Sequence, residues 1–343
     1  MNNFYMKNYM AFAVAVLALF FASCGGNRLN VDVSDINVGD VKINRLEQDV
    51  FMMDTSQILA ATEKLQTKYG HFYSGYISGV INNGVLTDSS YSFRMKQFIN
   101  DKDMREAYAD CQKIYPDLNF LEDELTGIFK HFKFYFPEKN LPKIATMMSG
   151  FNYPVVLIDS TLAIGLDMYL GSKSKFYQML AMPHYKSLFM NKETIAPDAV
   201  RIWMLSEFSY HMDKSDFLSE IIYIGKILYL DDALLTGVHD SLKVQYTQKQ
   251  MMYCMQNEFN IWSYFVSQKL LYTTNQAEII KYTSEGPFTS AFSKESPPRI
   301  GYWIGWQIVR QYMKNNPEIT VEQLMQEKDA QQLLAKSKYK PRK

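Results

Sequence analysis

Cysteine is scarce in this chain, and the short motifs that mark several common enzyme classes are missing. The 3 cysteines in 343 residues are too few for the disulfide framework of a small secreted domain. No CxxC occurs, and no two of the 5 histidines lie four residues apart, which excludes the HExxH helix of many zinc peptidases. The chain also has no GxGxxG after a strand, no GxxxxGK and no GxSxG, so dinucleotide-binding, P-loop and standard α/β-hydrolase sites are excluded.

The chain has no excess of positively or negatively charged residues. Lysine and arginine total 36, aspartate and glutamate total 36, and the formal net charge is +0. Nothing in this balance attracts the whole chain to nucleic acid, so we expect no nucleic-acid partner. The basic C-terminal segment, residues 336–343, is interpreted as a solvated tail.

The first 24 residues have the pattern of a lipoprotein export signal. Lys7 precedes an apolar stretch from Met10 to Ala22, which has the length of a signal core and is short for a bilayer span. The residues just before Cys24 resemble the bacterial lipobox, in which the cysteine thiol receives a diacylglycerol. This resemblance implies that residues 1–23 are removed and that acyl chains such as palmitate are attached to Cys24. A short N-terminal membrane anchor with an incidental cysteine is the alternative.

Acylation at Cys24 would hold the mature protein at a membrane, because several acyl chains together give stable anchoring. Gly25-Gly26-Asn27 places no aspartate beside the cysteine. By analogy with bacterial sorting rules, this favours the outer membrane with the domain facing the periplasm. We interpret residues 24–40 as a polar tether and residues 41–343 as a single domain.

Hydrophobic periodicity predicts a small sheet followed by helices. Alternating or short apolar runs predict strands at residues 41–46, 143–148, 154–159 and 162–166. Apolar residues three and four apart predict helices at 55–69, between 93 and 132, and then at 200–211, 216–230, 247–272, 299–314, 321–326 and 330–336. Residues 74–90, rich in glycine and asparagine and without a clear period, are interpreted as a loop. The predicted fold class is therefore α+β and mostly helical.

Two glycines spaced four apart predict one close helix contact. Gly301 and Gly305 share a face of the predicted helix 299–314, with Trp303 and Trp306 expected to pack in the core beside them. The acidic pair that follows the predicted helix 216–230, Asp231-Asp232, is interpreted as part of a loop, with a metal or a cationic partner as the alternative. Both remaining thiols, Cys111 and Cys254, fall in helical stretches, and the sequence leaves open whether they pair.

One segment has polar residues at the spacing of a zinc-peptidase motif, without the ligands. In the predicted helix 200–211, Ser206 and Tyr210 stand where HExxH has its two histidines, and Glu207 stands where it has its glutamate. A hydroxyl and a phenol are not ordinary zinc ligands, so we interpret these positions as degenerate and expect no metal, no cofactor and no catalytic residue. Glu207 and His211 are the candidate residues of a cleft, although an i,i+4 surface ion pair explains the same spacing.

An ordered set of segments resembles the gliding-motility-associated lipoprotein GldB family of Bacteroidetes. The segments are FYFP at 134–137, MSGF at 148–151, LAIGLDMYLG at 162–171, MPHY at 182–185, GKILY at 225–229, SPPRIGYWIGWQIVR at 296–310 and SKYKP at 337–341. The resemblance covers about residues 40–341. That family in turn resembles zincin-type metallopeptidases, which implies a small sheet, then a motif helix and a helical bundle. The third zinc ligand of such a peptidase would come from the helix around Gly225. Glu220 precedes this glycine, and the position of the ligand looks vacant.

This resemblance implies a non-catalytic, lipid-anchored protein of the gliding-motility machinery or a related envelope complex. Such a pseudoenzyme would hold an envelope protein or a peptide in a degenerate, peptidase-like cleft. Two alternatives stay open. One is a zinc-dependent metallopeptidase with an unorthodox ligand set such as Glu207, His211 and another acid. The other is a lipoprotein that binds a small hydrophobic molecule in an aromatic cavity.

Overall fold

The computed structural model describes residues 28–342. The export signal and the acylated Cys24 of the sequence prediction lie outside the described residues. Arg28 donates hydrogen bonds to the backbone oxygens of Met313 (2.7 Å) and Ile319 (2.5 Å), and Leu29 is buried. The segment interpreted as a polar tether is therefore in contact with the folded domain from Arg28 onward.

Four short strands form one mixed sheet. They are β1 (Ile43–Arg45), β2 (Lys143–Met147), β3 (Val155–Ile158) and β4 (Thr161–Gly165). The strand order is β1-β2-β4-β3, in which β1, β2 and β4 are parallel and β3 runs antiparallel to β4. Every residue of β4 is buried, whereas β3 is an edge strand that pairs with β4 alone. The four predicted strands are confirmed; β1, β2 and β3 are shorter than predicted, and β4 is displaced by one residue.

Helices make up 57% of the structure and confirm the mostly helical α+β prediction. The first eight are α1 (Leu46–Phe51), α2 (Ile58–Tyr69), α3 (His71–Gly75), α4 (Tyr91–Asn100), α5 (Lys102–Ile114), α6 (Asn119–Tyr135), α7 (Lys175–Met179) and α8 (His184–Ser187). Those that follow are α9 (Ile195–Glu207), α10 (Phe217–Leu234), α11 (Asp240–Val244), α12 (Gln248–Ser267), α13 (Gln276–Thr283), α14 (Ile300–Asn315), α15 (Val321–Gln326) and α16 (Ala330–Ser337).

The loop prediction for residues 74–90 is wrong over its first part. Helix α3 is followed there by a π-helical turn, Tyr76–Val80. Tyr76 and Ile77 are fully buried, and the Tyr76 hydroxyl donates to the backbone oxygen of Met148 at 2.9 Å. Tertiary packing thus supplies the helix stability that the glycine-rich local sequence lacks.

The crossing of α10 and α14 lies at the centre of the helical part. Helix α10 is apolar on nearly every face and is buried along most of its length, as expected of a core helix. At the crossing, a Cβ atom on Gly225 would lie 2.4 Å from the Gly305 backbone oxygen. Trp303 and Trp306 are buried beside it. The predicted close contact on the glycine face of α14 is confirmed.

The loop prediction for Asp231-Asp232 is wrong, because α10 continues to Leu234. Asp232 accepts hydrogen bonds from Arg310 Nε (2.7 Å), Trp306 Nε1 (3.0 Å) and Lys243 Nζ (3.0 Å). These cationic groups offset the unfavourable interaction of a carboxylate with the C-terminal end of the helix dipole. The helix can therefore extend one turn beyond the point where its acidic residues begin.

Two of the cysteines lie within the described residues 28–342. Cys111 and Cys254 are both free and both buried, and burial raises the pKa of each thiol.

Among the helices of the described residues, none combines the length and the hydropathy that a bilayer crossing requires.

Candidate functional site

The structure does not bring the predicted motif residues together. Helix α9 ends at Glu207, so the predicted continuation to residue 211 is wrong, and Tyr210 and His211 do not lie on the helix that carries Ser206. Glu207 Oε1 instead forms an ion pair with Lys139 Nζ at 2.6 Å. The Tyr210 hydroxyl donates to the backbone oxygen of Lys214 at 2.7 Å, while Ser206 and His211 are exposed.

A groove formed by two cavities lies next to the N-terminal half of α9. The cavities have volumes of about 440 Å³ and 580 Å³. They share the residues Pro154, Asp198, Gln245, Glu285 and Arg299, which makes them two parts of one depression. We call this depression the groove.

The walls of the groove are mostly aliphatic and aromatic. In the larger cavity they include Ile202, Leu205, Ile224, Ile227, Leu228 and Tyr302. In the smaller cavity they include Met168, Met182, Tyr185, Leu188, Phe189 and Met190. Pro154 and Val155, at the start of edge strand β3, line the larger cavity. The start of edge strand β3 therefore reaches the groove.

Asp198 stands on the first turn of α9, where the two cavities join. Its carboxylate accepts hydrogen bonds from the Tyr169 hydroxyl (3.0 Å) and from Gln245 Nε2 (2.6 Å). Burial raises the pKa of Asp198 to about 6, against the opposing effect of the guanidinium groups of Arg201 and Arg299. This carboxylate is thus held in place by neutral donors at the middle of the groove.

Arg201 and Asp231 form a loose pair at the groove floor. Arg201 Nε lies 3.9 Å from Asp231 Oδ2, a distance compatible with an ion pair and too long for a hydrogen bond. Among residues 28–342, neither Asp231 oxygen has a hydrogen-bond partner, and neither do Nε and Nη2 of Arg201. Burial raises the pKa of Asp231 to about 8, although Arg201 acts to lower it. Unpaired buried groups of this kind are uncommon in folded proteins.

Arg299 lies on the opposite side of the groove from α9, just before α14. Its Nη2 donates to the Val244 backbone oxygen at 3.1 Å, and its Nη1 lies 3.2 Å from Glu285 Oε1. Arg299, Gln245 and Phe151 all have left-handed backbone conformations, with φ of 52°, 54° and 60°. All three line the groove. Such backbone strain costs free energy and is often concentrated at functional sites.

Sequence reasoning missed the ionisable residues of the groove. Neither Asp198 nor Arg201 is among the predicted site residues, and Asp231, which lies beside Arg201, is predicted to be part of a loop. The available signal was the presence of ionisable residues inside apolar helical stretches, since such residues are seldom buried without a partner. The neighbourhood of Arg201 and Asp231 depends on how α9 packs on α10, which helical periodicity does not reveal.

The groove does not fit a catalytic zinc ion. Zinc sites in peptidases use histidine and carboxylate donors, and no lining residue of either cavity is histidine or cysteine. In the part of the chain from Arg28 to Arg342, no cluster of three potential ligands could hold a metal ion. Gly225, the residue compared with the third-ligand region, is occupied in packing against Gly305.

Comparison with known proteins gives one match. The model of a family described as gliding motility protein GldB matches residues 26–341. No curated protein and no solved structure matches the chain. The likeness to zincin-type peptidases therefore has no support from a solved structure.

Proposed function

Because this chain belongs to the GldB family of gliding motility proteins, and is thus a gliding-motility lipoprotein of the cell envelope, we propose that it acts there as a non-catalytic scaffold. In this proposal the groove holds an extended segment of an envelope partner protein. The observation that carries it is the groove itself, with apolar walls, buried charged groups and the start of an edge strand among its lining residues. Extended peptides commonly bind by adding a strand to such an edge, with side chains entering neighbouring pockets.

The proposed location is the periplasmic face of the outer membrane, with Cys24 acylated. Four peptide units separate Cys24 from Arg28, so the lipid attachment point would lie within about 14 Å of the first residue that contacts the domain. A chain this short would keep the domain beside the bilayer. We also propose that residues 41–343 act as a single unit in this position.

Site-specific photocrosslinking in living cells tests the scaffold proposal. A photoreactive phenylalanine analogue would replace Ile202 or Tyr302, which line the groove, or Met255, which is 66% exposed on α12 and serves as the control. We expect the two groove positions to crosslink to the same envelope protein and the control position to give no such product. Equal crosslinking at all three positions, or none in the groove, would contradict the proposal.

A metallopeptidase with Glu207 among its ligands would behave differently. The Glu207→Ala variant of a scaffold should lose only the partly buried surface ion pair with Lys139, which is worth up to about 1 kcal/mol of stability. The Glu207→Ala variant of an enzyme should lose peptide hydrolysis. Stoichiometric zinc in the purified protein, removed by a chelator together with hydrolysis of a peptide mixture, would overturn the non-catalytic proposal.

A further inference from the structure

Arg201 is a cation at the groove floor whose buried nitrogens have no acceptor. Its side chain is 17% exposed and lines the larger cavity. Nε and Nη2 lack a hydrogen-bond partner among residues 28–342. A guanidinium has five N–H donors, and removing it from water is costly unless those donors are satisfied.

The carboxyl groups near Arg201 do not accept hydrogen bonds from its Nε and Nη2 atoms. Asp198 already accepts from Tyr169 and Gln245. Glu285 pairs with Arg299 and has a side chain that is 55% exposed. Asp231 lies 3.9 Å away, and because burial raises its pKa to about 8, it is mostly protonated at neutral pH. Nε and Nη2 of Arg201 therefore have no hydrogen-bond acceptor among residues 28–342, although Asp198 supplies a negative charge nearby.

The residues around Arg201 indicate which chemical groups of a ligand would be complementary to the cavity. Ile202, Leu205, Ile224 and Ile227 line the same cavity, so a large part of the wall around the guanidinium is aliphatic. A carboxylate matches the planar fork of an arginine and forms short, charge-assisted hydrogen bonds with it. An acceptor of this kind, bordered by aliphatic groups, is complementary to the cavity in both charge and polarity.

We propose that Arg201 binds a carboxylate group of the partner segment that occupies the groove, with apolar side chains of the same segment on the aliphatic walls. This inference rests on the proposed scaffold function and specifies its ligand. The carboxylate can come from the C-terminus of the partner or from an aspartate or glutamate side chain. Arg299 lines the same cavity, where its charge is paired with that of Glu285.

Retention of defined peptide pools by the immobilised, acylated full-length protein tests this inference. Three acetylated random hexapeptide pools would be used. The first has a free C-terminal carboxylate and no acidic residue, the second has an amidated C-terminus and one fixed glutamate, and the third is amidated without any acid. Mass spectrometry would quantify the retained peptides for the wild type, Arg201→Gln, Arg201→Lys and the control Lys64→Gln, which removes an exposed cation from α2.

We expect the wild type and Lys64→Gln to retain at least one acidic pool ten-fold or more above the neutral pool. Arg201→Gln should reduce this retention to the neutral level, and Arg201→Lys should give an intermediate value because it keeps the charge and loses the fork. Retention of the first pool alone would identify a C-terminal carboxylate, and retention of the second alone a side-chain carboxylate.

Other results would overturn the inference. Equal retention of all three pools would contradict carboxylate recognition and leave the scaffold function standing, whereas no retention of any pool would contradict both. Circular dichroism would show whether Arg201→Gln is folded. If it is not, Arg201→Lys decides, and wild-type retention by a folded Arg201→Lys protein would count against the proposed role.

Discussion

At the residue scale, Asp231 illustrates how far burial can change the chemistry of a single side chain. It is fully buried on α10, and it faces charged groups from three helices, Arg201 and Asp198 on α9, Asp232 on α10 and Lys243 on α11. Because the pKa of Asp231 is raised in the folded state, the folded protein keeps a proton between about pH 4 and pH 8 that the unfolded chain has already released. This one group therefore makes the folded state less stable as the pH rises through that window.

The pH dependence of the Asp231→Asn variant measures this effect. Asparagine cannot ionise, so the variant should gain stability relative to the wild type by up to about 1.4 kcal/mol per pH unit between pH 5 and pH 7. Urea unfolding at pH 5, 6, 7 and 8 would give the difference in the free energy of unfolding. The exposed Asp35→Asn variant serves as the control. Parallel pH profiles of Asp231→Asn and the wild type would show that burial does not perturb Asp231.

At the element scale, the α10–α14 crossing depends on the absence of a side chain. A Cβ atom on Gly305 would lie 1.8 Å from the backbone oxygen of Ile221. A backbone atom in a packed helix cannot move aside as a flexible side chain can. Gly305→Ala must therefore separate the two helices or distort one of them.

We expect Gly305→Ala to lower the free energy of unfolding by about 3 kcal/mol or more, which is the upper range for overpacking in a core. The matched control is Gly127→Ala on α6, where an added Cβ would have no neighbour within 4 Å. That change should stabilise the protein by up to about 1 kcal/mol, because alanine favours the helix. Thermal and urea unfolding would measure both. Similar effects of the two substitutions would mean that the helices do not cross as described.

The elements also show what local sequence can predict. The four strands and the glycine face of α14 follow from periodicity and spacing, which depend only on residues in the same element. The helical turn at Tyr76 was missed because glycine-rich local sequence opposes helix, while burial of Tyr76 and Ile77 favours it. The early end of α9 at Glu207 was missed for a related reason, since Ser206 to His211 contains no proline or glycine to mark a boundary.

At the scale of the whole molecule, the groove could not be predicted from the sequence. Asp198 and Arg201 share α9, whereas Asp231 is on α10 and Arg299 precedes α14. Only the packing of these helices brings Asp198, Arg201 and Arg299 to one depression, with Asp231 beside Arg201. Ser206, Glu207 and Tyr210 matched the spacing of a familiar motif, but none of them lines the groove.

The N- and C-terminal segments meet on one face of the molecule. Arg28 binds the backbone oxygens of Met313 and Ile319, and Asn315 Nδ2 donates to the Ser337 backbone oxygen at 2.7 Å. The basic residues next to Ser337 are exposed: Lys336, Lys338, Lys340 and Arg342. If Cys24 carries the lipid as proposed, the short connection to Arg28 brings this basic segment close to the bilayer. Each lysine or arginine near an anionic surface contributes about 1 kcal/mol of attraction.

Hydrogen exchange of the acylated protein in vesicles tests this orientation. In bilayers containing anionic phospholipid, we expect amide exchange in residues 336–342 to slow at least several-fold compared with neutral bilayers. The protection should disappear at 1 M salt, where the Debye length falls to about 3 Å. It should also weaken in Arg28→Ala, which removes the hydrogen bonds that hold Arg28 to the backbone oxygens of Met313 and Ile319. Exchange that is equally fast in anionic and neutral bilayers would mean that another face of the domain lies against the membrane.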